Sequence, residues 1–146
     1  MESDVPEWTV REMLESEVDT VVAGVFRAHP YIEPGEPNMQ EFGGRRVDFS
    51  FGGMVREEVA SMFTGARYGL PFKTKTVVAV KGGRIVASVS MYGGEGCWQM
   101  GYIVRAEGDD GGRITQDLAV ALLSACQEWG EPVRIVPRQS PPWFHV

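Results

Sequence analysis

The residues of this chain that could do chemistry gather in one loop and its approaches. Residues 104–130, VRAEGDDGGRITQDLAVALLSACQEWG, begin as an apolar strand, pass through glycines and acids, and open into an amphipathic helix. A helix N-terminus presents N–H groups without intrahelical partners, and a glycine-rich approach lets a phosphate reach them. Asp109 and Asp110 bring negative charge to that approach. The same acids suit a plain strand-to-helix turn, because an anion near a helix N-terminus is favourable. Glu95, between glycines just before a strand, could serve as a general base if a dry site raised its pKa, or it could be a solvated turn acid. Glu107, at a strand end, has the same two roles open to it.

The other reactive groups are sparse. Cys97 and Cys126 are the two cysteines, and they read as reduced, buried thiols rather than a disulfide framework. The two histidines, His29 and His145, lie far apart, and no His/Cys cluster has ligand spacing, so no metal site is expected. Arg45, Arg46, Arg84, Arg105 and Arg113 are either an anion patch or scattered solvated charges.

The elements that must position these groups can be read from periodicity. Trp8–Met13 predicts a first strand, Ser16 an N-cap with Asp19 at the capping-box position, and Val18, Val21, Val22, Val25 and Phe26 one face of a helix. Residues 30–48 predict a long irregular stretch, of the kind that is often functional. Met54–Arg67 predicts a second helix, with Val55, Val59, Met62 and Phe63 on its apolar face. KTKTVVAV, then Gly82-Gly83, then RIVASVSMY predicts a hairpin, and the run Val77–Val80 predicts a strand covered on both faces. Cys97–Val104 is a third strand of this block. Leu118, Leu122, Ala125 and Trp129 stripe the next helix, and Gly130 suits its C-terminal cap. Residues 132–137 predict a last strand, parallel to the third because a helix joins them.

Composition bounds the class. A chain of 146 residues, 43% hydrophobic and 23% charged, is expected to form one soluble domain. A net charge of −6 argues against binding nucleic acid or an anionic membrane surface. No apolar run approaches ~18 residues, and the N-terminus has no apolar signal core, so a cytoplasmic location is expected.

The order strand, helix, helix, three antiparallel strands, helix, strand resembles the GNAT (N-acetyltransferase) superfamily over residues 8–137. In that family a signature, Gln/Arg-x-x-Gly-x-Gly/Ala, holds the pyrophosphate of acyl-CoA on backbone N–H groups. Its six positions fall here on Asp109, Asp110, Gly111, Gly112, Arg113 and Ile114, of which only Gly112 matches a required glycine. A second register uses Arg105, Gly108 and the Gly111-Gly112 pair. Each carboxylate near a pyrophosphate repels it by roughly 1 kcal/mol or more at ~4 Å even with water screening. The family's base often lies on or beside the strand equivalent to 97–104, which here has no acid, leaving Glu95 just before it. The family's frequent tyrosine acid has no counterpart, since no tyrosine follows Tyr102.

The resemblance implies a single α/β (α+β by some conventions) GNAT-like domain with a mixed, mostly antiparallel sheet, flanking helices and truncated C-terminal strands. Compact forms of this kind occur among phage-encoded proteins, so a host cytoplasm or virion setting is implied. It leaves two functions open. One is an acetyl-CoA-dependent N-acyltransferase acting on an amine of a small molecule or protein. There the cofactor would lie between the strands at 97–104 and 132–137, on Ile103, Val104, Arg105, Gly108, Gly111, Gly112 and Arg113, with Glu95 as base. The other is a weakly active or non-catalytic domain used for protein association. Its contacts would be the 30–48 loop, an open sheet edge, and the tail bearing Trp143 and Phe144, which either caps the sheet or docks on a partner or second copy.

Overall fold

A computed structural model of the chain describes residues 7–94, 97–109, 112–130 and 135–136. Glu95, Asp110, Gly111 and the tail with Trp143, Phe144 and His145 lie outside these residues, as does the side chain of Cys97. Along the chain the elements are β1 (Thr9–Glu12), α1 (Val18–Ala28), β2 (Met39–Phe42), β3 (Arg45–Asp48), α2 (Phe51–Thr64), β4 (Ala66–Arg67) and β5 (Leu70–Pro71). Then come β6 (Lys73–Lys81), β7 (Arg84–Gly94), β8 (Cys97–Val104), α3 (Arg113–Cys126) and β9 (Ile135–Val136).

The main sheet has the order β1-β6-β7-β8-β9. Its first four strands pair antiparallel, and β9 lies parallel to β8. Gly82 and Gly83 join β6 to β7 at φ of 60° and 75°, the positive φ that a two-residue hairpin turn requires. Period-2 alternation sends Val77 and Ala79 to one face of β6 and Val78 and Val80 to the other. α3 covers the first face with Ile114, Leu118, Leu122 and Cys126. α1 and α2 cover the second with Val18, Val21, Val25, Val55 and Val59. Each such buried aliphatic side chain contributes roughly 1.5–3 kcal/mol, so the continuous apolar run holds both helical layers at once.

Three local expectations are corrected. Ser16 is not a helix cap: a 3₁₀ turn, Glu15–Glu17, precedes α1, and the Glu17 carboxylate accepts the Leu14 N–H at 2.8 Å. Residues 30–48 are not irregular throughout, because β2 and β3 pair around Gly43-Gly44 as a second small hairpin. α2 begins at Phe51 rather than Met54 and ends at Thr64 rather than Arg67. Ser50 caps it by accepting the Gly53 N–H at 3.1 Å, and Gly65 closes it in the left-handed region.

One irregularity sits in the middle of the sheet. Ser88 and Val89 pair with Val104 and Ile103, whereas Met91 pairs with Met100. Two residues of β8, Gly101 and Tyr102, therefore oppose the single Ser90 of β7, which makes a β-bulge. The bulge requires a residue without a side chain. A Cβ at Gly101 would lie 2.9 Å from Tyr92 Cζ and 3.0 Å from Ser90 Cβ. Gly101→Ala is expected to destabilise the fold by about 1–3 kcal/mol through overpacking. Denaturant unfolding checks this, and an unchanged midpoint would contradict so tight a bulge.

Candidate functional site

The N-terminus of α3 is the place where a phosphate would be held, and three of its donors, the Gly112, Ile114 and Thr115 N–H groups, are already engaged. Gly112, the N-cap, sits at φ 68° and has no side chain with which to accept a hydrogen bond. Asp109 supplies the cap from three residues upstream. Its Oδ1 accepts the Ile114 N–H at 2.9 Å, and its Oδ2 accepts the Thr115 N–H at 3.1 Å and the Thr115 hydroxyl at 2.7 Å. The Asp109 carbonyl also accepts the Gly112 N–H at 3.0 Å. The Thr115 hydroxyl, then the Ile114 N–H, hold the Asp109 carboxyl below its ordinary value. The chain's own carboxylate thus occupies the anion position that the fold offers.

Beyond the loop lies an apolar cleft. β9 pairs β8 only at Trp98↔Ile135 and Gln99↔Val136, so the outer edge of β8 beyond Gln99 has no strand beside it among the described residues. Between that edge and α3 a cavity of ≈150 Å³ is lined by Met100, Ile103, Val104 and Arg105 on one side and Thr115, Leu118, Ala119 and Leu122 on the other. The lining is almost wholly hydrocarbon, which suits an apolar guest.

On the opposite face of the sheet the structure reveals a buried polar cluster. Glu58, 1% exposed on α2, pairs through Oε1 with the Arg67 guanidinium and through Oε2 accepts the Tyr92 hydroxyl at 2.8 Å. Arg67 lies over the Phe72 ring at 5.0 Å. Ser61 donates to Thr74 at 2.7 Å, and Thr76 and Ser90 share a hydrogen bond at 2.8 Å. Tyr92 is also the side chain against Gly101, so this cluster abuts the bulge in β8. Sequence reasoning passed over Glu58. The available signal was an acid three residues after Val55 and one before Val59, squarely on the apolar stripe of α2.

The sequence-derived site residues are brought together only in part. Ile103, Val104 and Arg105 converge at the cleft, beside Thr115. Gly108 and Gly112 lie in the loop, both at φ 68°. Arg113 is turned elsewhere, with its guanidinium over the Trp8 ring at 5.3 Å, while the Trp8 Nε1–H donates to Asp117 at 2.8 Å. Glu95 and Gly111 are outside the described residues. Glu107 is exposed. Cys126 is buried, and burial pushes its thiol up to about 12, the opposite of what a nucleophile needs. Among the described residues no group of three or more His, Cys, Asp or Glu is placed to hold a metal ion. No helix there is long and apolar enough to cross a membrane.

Two predictions follow from these hydrogen bonds. The Asp109 cap contributes stability above the unfolded carboxylate pKa of about 3.9 and loses it as pH falls through the lower folded value. Asp109→Ala is therefore expected to lower Tm at neutral pH, with the gap to the parent chain closing in acid. A gap that stayed constant across that range would argue against the cap. Glu58→Ala leaves Arg67 and Tyr92 without their acceptor. The cost is expected at about 3 kcal/mol in urea unfolding, the lower end for a broken buried pair because Arg67 can turn towards water.

No protein-family model matches the chain, and no curated protein is similar to it in sequence. Solved structures do match. An assigned GNAT-family acetyltransferase from Desulfovibrio desulfuricans has TM-score 0.55 at 12% identity, covering 88% of this chain and 71% of that one. Ribosomal-protein-alanine N-acetyltransferase from Brucella melitensis gives 0.58 at 11%, covering 92% and 83%. The PaiA N-acetyltransferase of Thermoplasma acidophilum, solved in complex with coenzyme A, gives 0.56 at 10%, covering 95% and 85%. These likenesses, with the mixed sheet and its flanking helices, show that the chain has the fold of the GNAT acetyltransferases.

Proposed function

We propose that this chain is a GNAT-fold protein of weak or absent acyl-transfer activity that works by association with another protein. The observation that carries the reading is the Asp109 carboxylate on the Ile114 and Thr115 N–H groups. A pyrophosphate placed there would have to displace that carboxylate and then face it across a few ångströms. The water-screened repulsion alone is roughly 1 kcal/mol. Arg113, four residues after Asp109, is held over Trp8 instead, and Arg105, four residues before it, already favours the Asp109 carboxylate. The phosphate end of acetyl-CoA therefore does not fit the residues present, and no transfer step is derived through it.

A surface suited to a partner lies on the other side of the molecule. Phe42 makes edge contacts with Phe49 and Tyr68 at 5.9 and 6.3 Å, and Phe49 stacks on Tyr68 at 5.2 Å. Phe42 and Met39 are each 44% exposed, and Leu70, next to the Tyr68-Gly69 turn, is 67% exposed. Tyr68 is held at φ 52°, an uncommon value for a side-chain-bearing residue, and burial pushes its hydroxyl up to about 12. An apolar aromatic patch on two small hairpins has the composition of a protein contact.

A second reading keeps the activity of the fold. The apolar cleft between β8 and α3, where Ile103, Val104 and Arg105 converge, favours an acetyl-CoA-dependent N-acetyltransferase with Glu95 as its candidate base. Calorimetric titration with acetyl-CoA separates the two. The parent chain is expected to show no binding at millimolar ligand, and Asp109→Ala, with the helix N-terminus open, is expected to bind measurably better. Micromolar binding by the parent chain would overturn the first reading.

A further inference from the structure

Helix α3 is the outer layer on its side of the sheet among the described residues, and the side it turns to solvent is poor in charge. Its buried stripe, Ile114, Leu118, Leu122 and Cys126, faces the sheet. At about 100° per residue, Arg113, Gln116, Val120, Leu123, Ser124 and Gln127 fall within roughly 100° of arc on the opposite side, and all six are exposed. Val120 is 65% exposed and Leu123 38%. A surface helix ordinarily carries charged and polar residues on that side. Between Arg113 and Glu128 the only charged residue is Asp117. Asp117 is turned to the flank of the helix, where its carboxylate accepts the Trp8 Nε1–H. Depletion of charge around an apolar centre is the composition of an interface core rather than of a solvated face. Ala119 and Ser124, small residues beside Val120, let a second helix axis approach to about 8–10 Å.

The charges at the two ends of this face decide what fits it. Arg113 opens α3, and Glu128 lies in the 3₁₀ turn Gln127–Trp129 that continues it. Arg113 stands about 10 Å before Val120 and Glu128 about 12 Å after it, at ~1.5 Å per residue. We propose that α3 packs antiparallel on the α3 of a second copy of this chain, across a two-fold axis near Val120. That axis sets Val120 against its own counterpart and each Arg113 beside the other chain's Glu128. A face with a cation at one end and an acid at the other complements itself in this direction only, since a parallel pair would set like charges together. Both end groups can take a second partner. Arg113 is exposed while it lies over Trp8, and the Glu128 side chain is 62% exposed while it pairs with Lys75. Each has donors or acceptors to spare. Such a contact uses the same patch on both chains and closes at two copies. Through Leu123 and Ala119 it reaches the rim of the cleft, where Ile103 is 40% exposed.

The pairing stands whether or not acetyl-CoA binds, because its test uses no acyl-CoA. Sedimentation velocity of the full chain is expected to show a dimer that forms with rising concentration. Val120→Glu, which brings two carboxylates to the axis, is expected to leave a monomer with unchanged far-ultraviolet circular dichroism. Arg113→Glu and Glu128→Arg are each expected to weaken the dimer about tenfold, and the two together to restore it. A parent chain that stays monomeric at millimolar concentration would overturn the pairing. So would a dimer that Val120→Glu leaves intact, which would place the contact on another surface such as the exposed Phe42 patch. A double variant no tighter than either single one would overturn the antiparallel direction. Val120→Cys decides the matter even if Val120→Glu fails to fold. A short bismaleimide is expected to link it into a dimer that the parent chain does not give, and absence of that product would overturn the proposal.

Discussion

Strand β6 must be dry on both faces, and the arrangement of the molecule follows from that requirement. Val77, Val78 and Ala79 are each at most 1% exposed, and their alternation puts buried apolar side chains on both faces of the strand. A sheet with one solvated face would expose Val78 or the pair Val77 and Ala79 to water, at roughly 25 cal/mol per Å² of apolar area. Two helical layers are therefore obligatory. α3 fills one, α1 and α2 fill the other, and β7 completes both because its own residues divide between the same two clusters. The position of α3, and hence of the loop that opens it, is set by this packing rather than by anything in the loop.

The bulge in β8 links the two layers. An extra residue in one strand bends it and increases its local twist, and here the bulge comes just beyond the last ladder contact to β9 at Gln99. Beyond that point the edge of β8, which has no strand beside it among the described residues, faces the cleft under α3. The side chain seated against Gly101 is Tyr92, whose hydroxyl bonds Glu58 on α2. A buried carboxylate is costly unless it is paired and hydrogen-bonded. Arg67 and Tyr92 meet both conditions and so tie α2 and the β4–β5 hairpin to the bulged part of the sheet. Glu58 is better understood as this tie than as a reactive group, because both of its oxygens are engaged.

How far the sequence revealed this depended on how much apolar area each element buries. The β6–β7 hairpin was legible because a Gly-Gly turn joined two strongly patterned strands. The same Gly-Gly signal at 43–44 joins MQEF to RRVD, where only Val47 is buried, so the pattern was missing and the hairpin was read as loop. The start of α2 was misplaced for a related reason: Gly52-Gly53 looks like a helix breaker. In the structure Gly53 is required, since a Cβ there would lie 2.2 Å from the Asp48 carbonyl oxygen. Glu58 was hidden because its partners come from elements that no local pattern connects. For the candidate site, the strand–loop–helix was plain in the sequence, and so was the conflict of its charge. Through which donors Asp109 acts depended on the fold of the loop.

That fold gives Asp109 a specific place rather than a general influence. An aspartate anywhere in the first turn would weaken a phosphate's attraction to α3 through its charge alone, and salt would screen much of that effect. Asp109 does more, because it removes the donors themselves. The N–H groups of Ile114 and Thr115 point at one location, and each donates a single hydrogen bond. The carboxylate that occupies the location presents both of its oxygens to them. Gly112 makes this possible and necessary together: its left-handed backbone turns the chain into the helix, and its lack of a side chain leaves the helix uncapped unless another residue supplies the acceptor. Here the Ile114 and Thr115 N–H groups are satisfied without any ligand. The loop's glycines and its aspartate thus belong to one solution of the capping problem, and that solution stabilises the fold.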